Sequence, residues 1–479
     1  MRTNRITNYV AISCVLLSAA ACTLPSNLAV RDENKNAPTK FNNASQDSSA
    51  NTGKLKWKEY FTDQNLIALI DTALHHNQEL NITLQEINIS NYEIRARKGE
   101  YLPFLGVGAA AGVEKAGLYT RRGAFEETTE VDPGKENPEA FPDYMVGLNA
   151  SWEVDIWKKL RNAKKAAVYR YLSSIEGKNF MVTNLIAEIA TSYYELMAFD
   201  NQLTILRQNI EIQTNALEIV KLEKNAARVT ELAVRRFEAE VAKNQSRQYY
   251  IEQSIIETEN RINFLVGRFP QPIQRNSDAF IATSPGVIQA GVPAQLLANR
   301  PDIRQAERDL AAAKLDVQVA RANFYPSLRL TAGIGYNAFQ PQFLLQPKSL
   351  MYTLAGELMA PLINRNAIKA YYYSANAKQI QSVYNYERTI LNGYIEVVNQ
   401  LSNIDNLAKS YELKTTQVDA LVQSITISTR LFRSARADYM EVLLTQRDAL
   451  EARFELIDTK MEQMHAMVYI YRALGGGWN

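Results

Sequence analysis

The chain states one pattern twice. Tyr101-Leu102-Pro103-Phe104-Leu105 returns as Phe324-Tyr325-Pro326-Ser327-Leu328, with Pro103 and Pro326 at an offset of 223. The same offset lays Asn77-Gln78-Glu79-Leu80 on Arg300-Pro301-Asp302-Ile303. Farther on, Val229-Thr230-Glu231-Leu232 falls on Ala437-Asp438-Tyr439-Met440, and Gly267 on Gly475, now at an offset of 208. Each offset holds through a helical stretch. The difference, 223 − 208 = 15 residues, is lost between them, where the pattern reads as a β-hairpin. Duplication with length change confined to a loop restricts the chain to two copies of one structural unit. The expected division is a signal peptide over 1–21, a tether over 22–60, a first repeat over 61–270, a linker over 271–295 and a second repeat over 296–479. Each repeat is expected to hold a helix, a β-hairpin and two long helices.

Residues 66–98 read as helix, and a strand is expected after Pro103. A polar Gly/Pro/Glu-rich loop is expected from Gly117 to Pro142. Then Tyr144, Val146, Leu148, Ala150 and Trp152 alternate with more polar neighbours, a period of two. Leu328, Leu330, Ala332, Ile334 and Tyr336 do the same in the second half, as do Leu350, Tyr352, Leu354, Gly356 and Leu358. Strands of about ten residues with one apolar face suit a transmembrane barrel. A soluble β-sandwich presents the same alternation.

No proline lies between Pro142 and Pro270, nor after Pro361. Both tracts read as long helix. In the first, Val182, Ile186, Ile189, Tyr193, Leu196, Leu203, Leu206, Ile210, Leu217 and Val220 follow three-four spacing, a coiled-coil seam. A helix from Lys159 to Ala226 would run on the order of 100 Å. The chain must turn near Asn225–Thr230 and return, and again near Arg433–Asp438.

The N-terminus carries Arg2 and Arg5, an apolar core from Val10 to Ala21, and the run Leu17-Ser18-Ala19-Ala20-Ala21-Cys22. This is a signal peptide. Small residues before cysteine resemble the bacterial lipobox, with Ala19 where Leu is usual, so Cys22 is the expected lipidation site. An ordinary cleavage site with a chance cysteine is the alternative. Thr23, in place of Asp, resembles outer-membrane sorting. Cys14 would leave with the signal peptide, so no internal disulfide is expected. The Asn-, Ser-, Lys- and Thr-rich stretch that follows reads as a leash. A net charge of +2 argues against a nucleic-acid partner.

Four membrane strands cannot close on themselves, and an open edge in lipid leaves backbone groups unsatisfied at several kcal/mol each. The barrel must therefore be shared between chains. Two, three or four copies would give eight, twelve or sixteen strands, with the long helices continuing the wall as a tube.

Several segments resemble the TolC-type outer-membrane factors (outer membrane efflux proteins), in their OprM-like lipoprotein branch. Leu296-Leu297-Ala298-Asn299-Arg300-Pro301-Asp302-Ile303 resembles the opening of that family's second repeat, followed at the expected distance by Phe324-Tyr325-Pro326-Ser327-Leu328. Glu153-Val154-Asp155-Ile156-Trp157 resembles the exit from the second strand, and Ala473-Leu474-Gly475-Gly476-Gly477-Trp478 the C-terminal end. The resemblance spans essentially the whole mature chain. It implies an α+β membrane protein: a homotrimeric twelve-stranded β-barrel, four strands per chain, continued by a coiled-coil periplasmic tube. It implies an outer-membrane, lipid-anchored exit duct for drugs or other small molecules, docked to a periplasmic adaptor and an inner-membrane efflux transporter, with no catalytic site and no cofactor. A duct for protein secretion and a non-transporting envelope lipoprotein are the alternatives. The chain departs from the family where Gly is usual: Ala227 and Ala435 stand at the helix turns, and Lys158 follows the Asp-Ile-Trp segment.

The histidines offer no metal site by spacing. His75 and His76 are adjacent in a helix and diverge by roughly 100°, and His465 stands alone in the last helix. No nucleophile elbow, P-loop or Cys/His cluster occurs. Tyr371-Tyr372-Tyr373 reads equally as an interfacial belt or as packing. The helix turns carry the charges that could close a conduit. Arg436, Asp438, Tyr439 and Glu441 sit with Arg433 at the second turn, and Arg228 and Thr230 with Lys224 and Glu231 at the first. The resemblance implies inward carboxylates and gating ion pairs there. Glu441 matches one such acidic position, and Leu444 stands at a second. A solvated turn is the plain alternative.

Overall fold

The computed structural model describes residues 31–36, 38–41, 50–130, 134, 138–283, 286, 288–434 and 436–478. The signal peptide, Cys22 and Ala435 lie outside these. The principal elements are α1 (Gln64–His76), α2 (Gln78–Glu100), β1 (Phe104–Glu114), α3 (Arg121–Thr128), β2 (Phe141–Val154), α4 (Lys159–Asn225), α5 (Glu231–Val266), α6 (Pro301–Ala322), β3 (Ser327–Ala338), β4 (Leu350–Met359), α7 (Asn366–Arg433) and α8 (Tyr439–Ala473). The chain forms two compact units, each drawing on both halves of the sequence.

One unit holds the sheet, with 88–172 and 308–383. Its strands run β1-β2-β3-β4, every neighbour antiparallel. Register explains the alternation. Val107 faces Leu148, Leu148 faces Ile334, and Ile334 faces Tyr352, so the apolar positions form one continuous face. On the other face Glu153, Arg329 and Glu357 stand in a row. The apolar face is bare in a single chain: Val107 is 78% exposed, Tyr352 80% and Leu354 81%. With β1 and β4 as open edges, this is a sheet made to be completed by other chains.

The segment expected as a loop from Gly117 to Pro142 contains α3. Thr120 caps it by accepting from the Gly123 amide at 3.1 Å. Arg122 pairs with Glu126 one turn on and with Glu114 on β1, both at 2.7 Å. Local capping and an i,i+4 pair fold a stretch too polar to show any period.

The other unit holds the coiled-coil core. Ile186, Ile189, Tyr193, Leu196 and Leu206 of the seam are all buried, against Leu66, Ile70, Ile262 and Ile457 among others. Asp63 caps α1 through the Asn65 and Leu66 amides, and Tyr193 donates to its other oxygen at 2.9 Å. The helix expected to run from Leu66 to Lys98 is broken at Asn77, which has extended backbone. Its Oδ1 accepts from the Leu80 amide at 2.8 Å and its Nδ2 donates to the Leu265 carbonyl at 2.9 Å.

That tie recurs. Arg300, the counterpart of Asn77, donates to the Ala473 carbonyl at 2.9 Å, the counterpart of Leu265. Gly267 (φ 80) closes α5 against the His76 carbonyl, and Gly475 (φ 86) lies just past α8 against that of Asn299. Both glycines are needed, because an L-residue would be strained there and its Cβ would meet that carbonyl oxygen at 2.4 and 2.6 Å respectively.

Candidate functional site: the helix turns

The two expected turns fall between α4 and α5 and between α7 and α8, and they close alike. The Arg228 amide donates to the Glu223 carbonyl at 2.9 Å, and the Arg436 amide to that of Leu431 at 2.9 Å. Ala227 occupies the left-handed region at φ 58. Lys158 does so at φ 59. Both stand where glycine was expected from the resemblance. Thr230 and Asp438 then take the N-cap positions of α5 and α8 with extended backbone, though neither side chain bonds a helix amide.

The charges separate into two kinds. At the first turn Glu231 is held by Lys224 at 2.8 Å and Arg235 at 2.9 Å. The Lys224 hydrogen bond holds its carboxyl below the usual range, helped by the charges of both cations. Arg235 was not singled out from sequence; its i,i+4 spacing from Glu231 was the available signal. At the second turn Arg436, Asp438 and Glu441 are exposed and form no ion pair within the chain among the described residues. Arg228 and Thr230 are likewise exposed.

Tyr439 joins the turns. It packs on Phe237 with ring centroids 6.4 Å apart. It lies at the edge of an apolar cluster of Leu217, Val220, Val234, Phe237, Val241 and Leu443. The candidate residues therefore divide into an anchored member, Tyr439, and a fringe of unpaired charge beside it. Leu444 is 39% exposed. His465 Nε2 lies 3.1 Å from the Thr191 carbonyl and His75 Nδ1 2.7 Å from that of Asp71, so both rings are engaged by backbone.

The motifs quoted from the sequence act as joints. Asp155 is buried and accepts from the Leu160 and Arg161 amides, starting α4. Trp157 stacks on Tyr325 at 4.6 Å and donates to the Pro326 carbonyl at 2.8 Å. Buried Arg300 bonds Asp302 and Glu396, each at 2.7 Å.

An open sheet with one apolar face, set with paired helical hairpins in a duplicated chain, defines an outer-membrane channel subunit. The model of the outer membrane efflux protein family matches residues 69–268 and 292–476, and the chain belongs to that family. The solvent efflux pump outer membrane protein SrpC of Pseudomonas putida is 27% identical over 425 residues, 88% of each chain. The pyoverdine export outer membrane protein OpmQ of Pseudomonas aeruginosa is 27% identical over 468 residues, 97% of this chain and 96% of that one. The open-state structure of the MtrE outer membrane channel of Neisseria gonorrhoeae superposes with a TM-score of 0.82 at 22% identity, covering 95% of this chain and 98% of that one. The fold is therefore the α+β membrane fold of trimeric efflux channels, four strands per chain with a pair of long helices after each pair of strands. The protein is an outer-membrane efflux component and not an enzyme.

Proposed function

We propose that this chain is the passive exit duct of a tripartite efflux system, taking small molecules from a periplasmic adaptor and an inner-membrane transporter. The observation that carries this reading is the open, apolar-faced sheet in a chain whose turns carry Arg436, Asp438 and Glu441, exposed and without an ion pair among the described residues. In a shared barrel the sheet edges close, and the turns become a ring of converging charge where a duct can be shut. The helices extend into the periplasm, and Cys22 carries the lipid that tethers the chain to the outer membrane. SrpC and OpmQ are named for cargoes as unlike as solvents and pyoverdine. That breadth suits a wide, water-filled lumen whose substrate choice lies with the pump.

Purified protein in a planar bilayer should give discrete single-channel conductance and migrate as a trimer in mild detergent. A stable folded monomer with no conductance would reject the duct. Cys22→Ser should abolish incorporation of labelled palmitate while leaving part of the channel population assembled, since barrel insertion is a separate source of membrane affinity. Lipid incorporated into the Cys22→Ser chain would place the anchor elsewhere.

A further inference from the structure

The strand–helix junctions carry a charge pattern that channel formation does not require. Take the eight residues nearest the strands in each of α2, α4, α6 and α7. They hold nine Lys and Arg against three Asp and Glu, in a chain whose formal net charge is only +2. None of the nine is buried. At 1.5 Å per residue all lie within about 12 Å of the helix ends that face the sheet.

Two of those ends are helix N-termini, where the backbone already presents positive charge and Asp or Glu is favoured. Neither α4 nor α7 has an acidic residue in its first turn, although Asp155, just ahead of α4, accepts from the Leu160 and Arg161 amides. Instead Lys158, Lys159 and Arg161 open α4, and Arg365 and Lys369 open α7. Lys158 keeps its place at φ 59, a backbone that glycine would hold without strain. Lys159 pairs with Glu153 at 2.5 Å and Arg161 with Asp155 at 3.1 Å, whereas Lys158 and Lys369 make no ion pair among the described residues, so an anion from outside the chain can balance them.

The loops leading into the same two helices are apolar and bare. Ile156 is 49% exposed and Trp157 46%, while Ile363 is 90% exposed. Of the three tyrosines, Tyr372 is buried against Phe324 with centroids 5.8 Å apart, whereas Tyr371 and Tyr373 are exposed. The middle one is packing and the outer two are free for an interface. A recess of about 310 Å³ opens here, lined by Trp157, Lys159, Tyr325, Met359 and Pro361 among others. Exposed aromatics and aliphatics followed at once by Lys and Arg are the signature of a membrane–water boundary.

We propose that this collar binds the headgroups of anionic phospholipids, with the cations on the phosphates and Ile156, Trp157 and Ile363 at the acyl boundary. The inference rests on the reading that the sheet spans a membrane. Lys158, Lys165 and Lys369 are exposed and make no side-chain ion pair among the described residues, so they can be changed without unpicking the fold.

The test is native mass spectrometry of the full chain from nanodiscs of phosphatidylcholine with or without phosphatidylglycerol, paired with bilayer conductance. Wild-type protein should retain phosphatidylglycerol over phosphatidylcholine. The triple variant Lys158→Gln, Lys165→Gln, Lys369→Gln should lose that preference by roughly fivefold per lysine and still conduct. Equal retention of the two lipids by a conducting wild-type channel overturns the proposal and leaves the channel reading intact. Loss of conductance in wild type overturns the channel reading itself. Unchanged lipid preference in the triple variant, with an altered anion-to-cation permeability ratio, would show that the collar faces the lumen. Displacement of the lipid by inorganic phosphate would show a site for free anions.

Discussion

A left-handed backbone at a residue bearing Cβ costs roughly 1–2 kcal/mol, and Lys158 and Ala227 both carry it. Replacing either by glycine should raise stability by about 1 kcal/mol, part of the relief being offset by the freer unfolded chain. Urea unfolding of the detergent-solubilised protein reads this directly. A midpoint that stays put or falls in both variants would mean that their surroundings, not the residue type, hold that conformation. Both positions were legible beforehand, because each stands where the family resemblance leads one to expect glycine. Asn364, at φ 51, was not: nothing in its neighbours announces a turn of that kind. Nor was the break at Asn77, which sits in an unbroken helical pattern. There a single side chain offers the Leu80 amide and the Leu265 carbonyl better partners than the helix would. Such competition is invisible until the distant carbonyl is in place.

At the scale of elements, the two repeats make one tie with different chemistry, and the difference is measurable. Asn77 bonds the end of α5 as a neutral amide, whereas Arg300 bonds the end of α8 as a buried cation shared with Asp302 and Glu396. Asn77→Ala should cost about 1–2 kcal/mol. Arg300→Ala should cost about 3 kcal/mol or more, because two carboxylates lose their partner. Arg300→Lys should not restore it, since an ammonium cannot reproduce the forked geometry. Equal losses at the two sites, read by thermal unfolding, would mean that the ion pairs add nothing to the shared carbonyl bond. A second element-level test concerns α8. Burial pushes the Asp458 carboxyl above its ordinary range, opposed by the hydrogen bond from Gln202 at 2.7 Å and by the charges of Lys414 and Arg247. A carboxyl whose folded pKa is raised stabilises the fold fully below its unfolded pKa, and that contribution is lost as pH rises through the folded value. Asp458→Asn should therefore melt higher than wild type at neutral pH. The gain should shrink as pH falls toward the ordinary carboxylate range, and a pH-independent difference would exclude the ionisation as its cause. The long helices and both turns were readable because proline is absent and the seam is periodic over many turns. Helix α3 was not, because its stability is local capping in a polar stretch with no periodic signal.

At the scale of the whole molecule, the sheet dictates assembly while the turns wait for it. Four antiparallel strands with an apolar face were legible as a fraction of a barrel, since alternation and the cost of an open edge are properties of one chain. A gate at the turns is not legible in the same way. Arg436, Asp438 and Glu441 are exposed and form no ion pair among the described residues, and whether they face an axis depends on neighbours that a single sequence does not place. Three-fold assembly turns each into a ring. If Glu441 lines a narrow axis, three like charges crowd there and draw cations in. At about 4 Å, a unit charge pair near a protein surface attracts by roughly 4 kcal/mol, and salt of about 0.1 M screens beyond about 10 Å. Glu441→Gln should then lower the cation-to-anion permeability ratio and weaken block by multivalent cations, strongly at low ionic strength and little at high. Arg436→Ala should raise open-state conductance if Arg436 holds a carboxylate of a neighbouring chain, since it makes no ion pair among the described residues of its own. Thr230 and Arg228, on the other turn, serve as the comparison: their substitution should move selectivity less than that of Glu441. Selectivity unchanged by Glu441→Gln at low salt would make this residue part of a solvated turn, and the constriction would then belong to the paired charges of Lys224, Glu231 and Arg235 or to the helices above them.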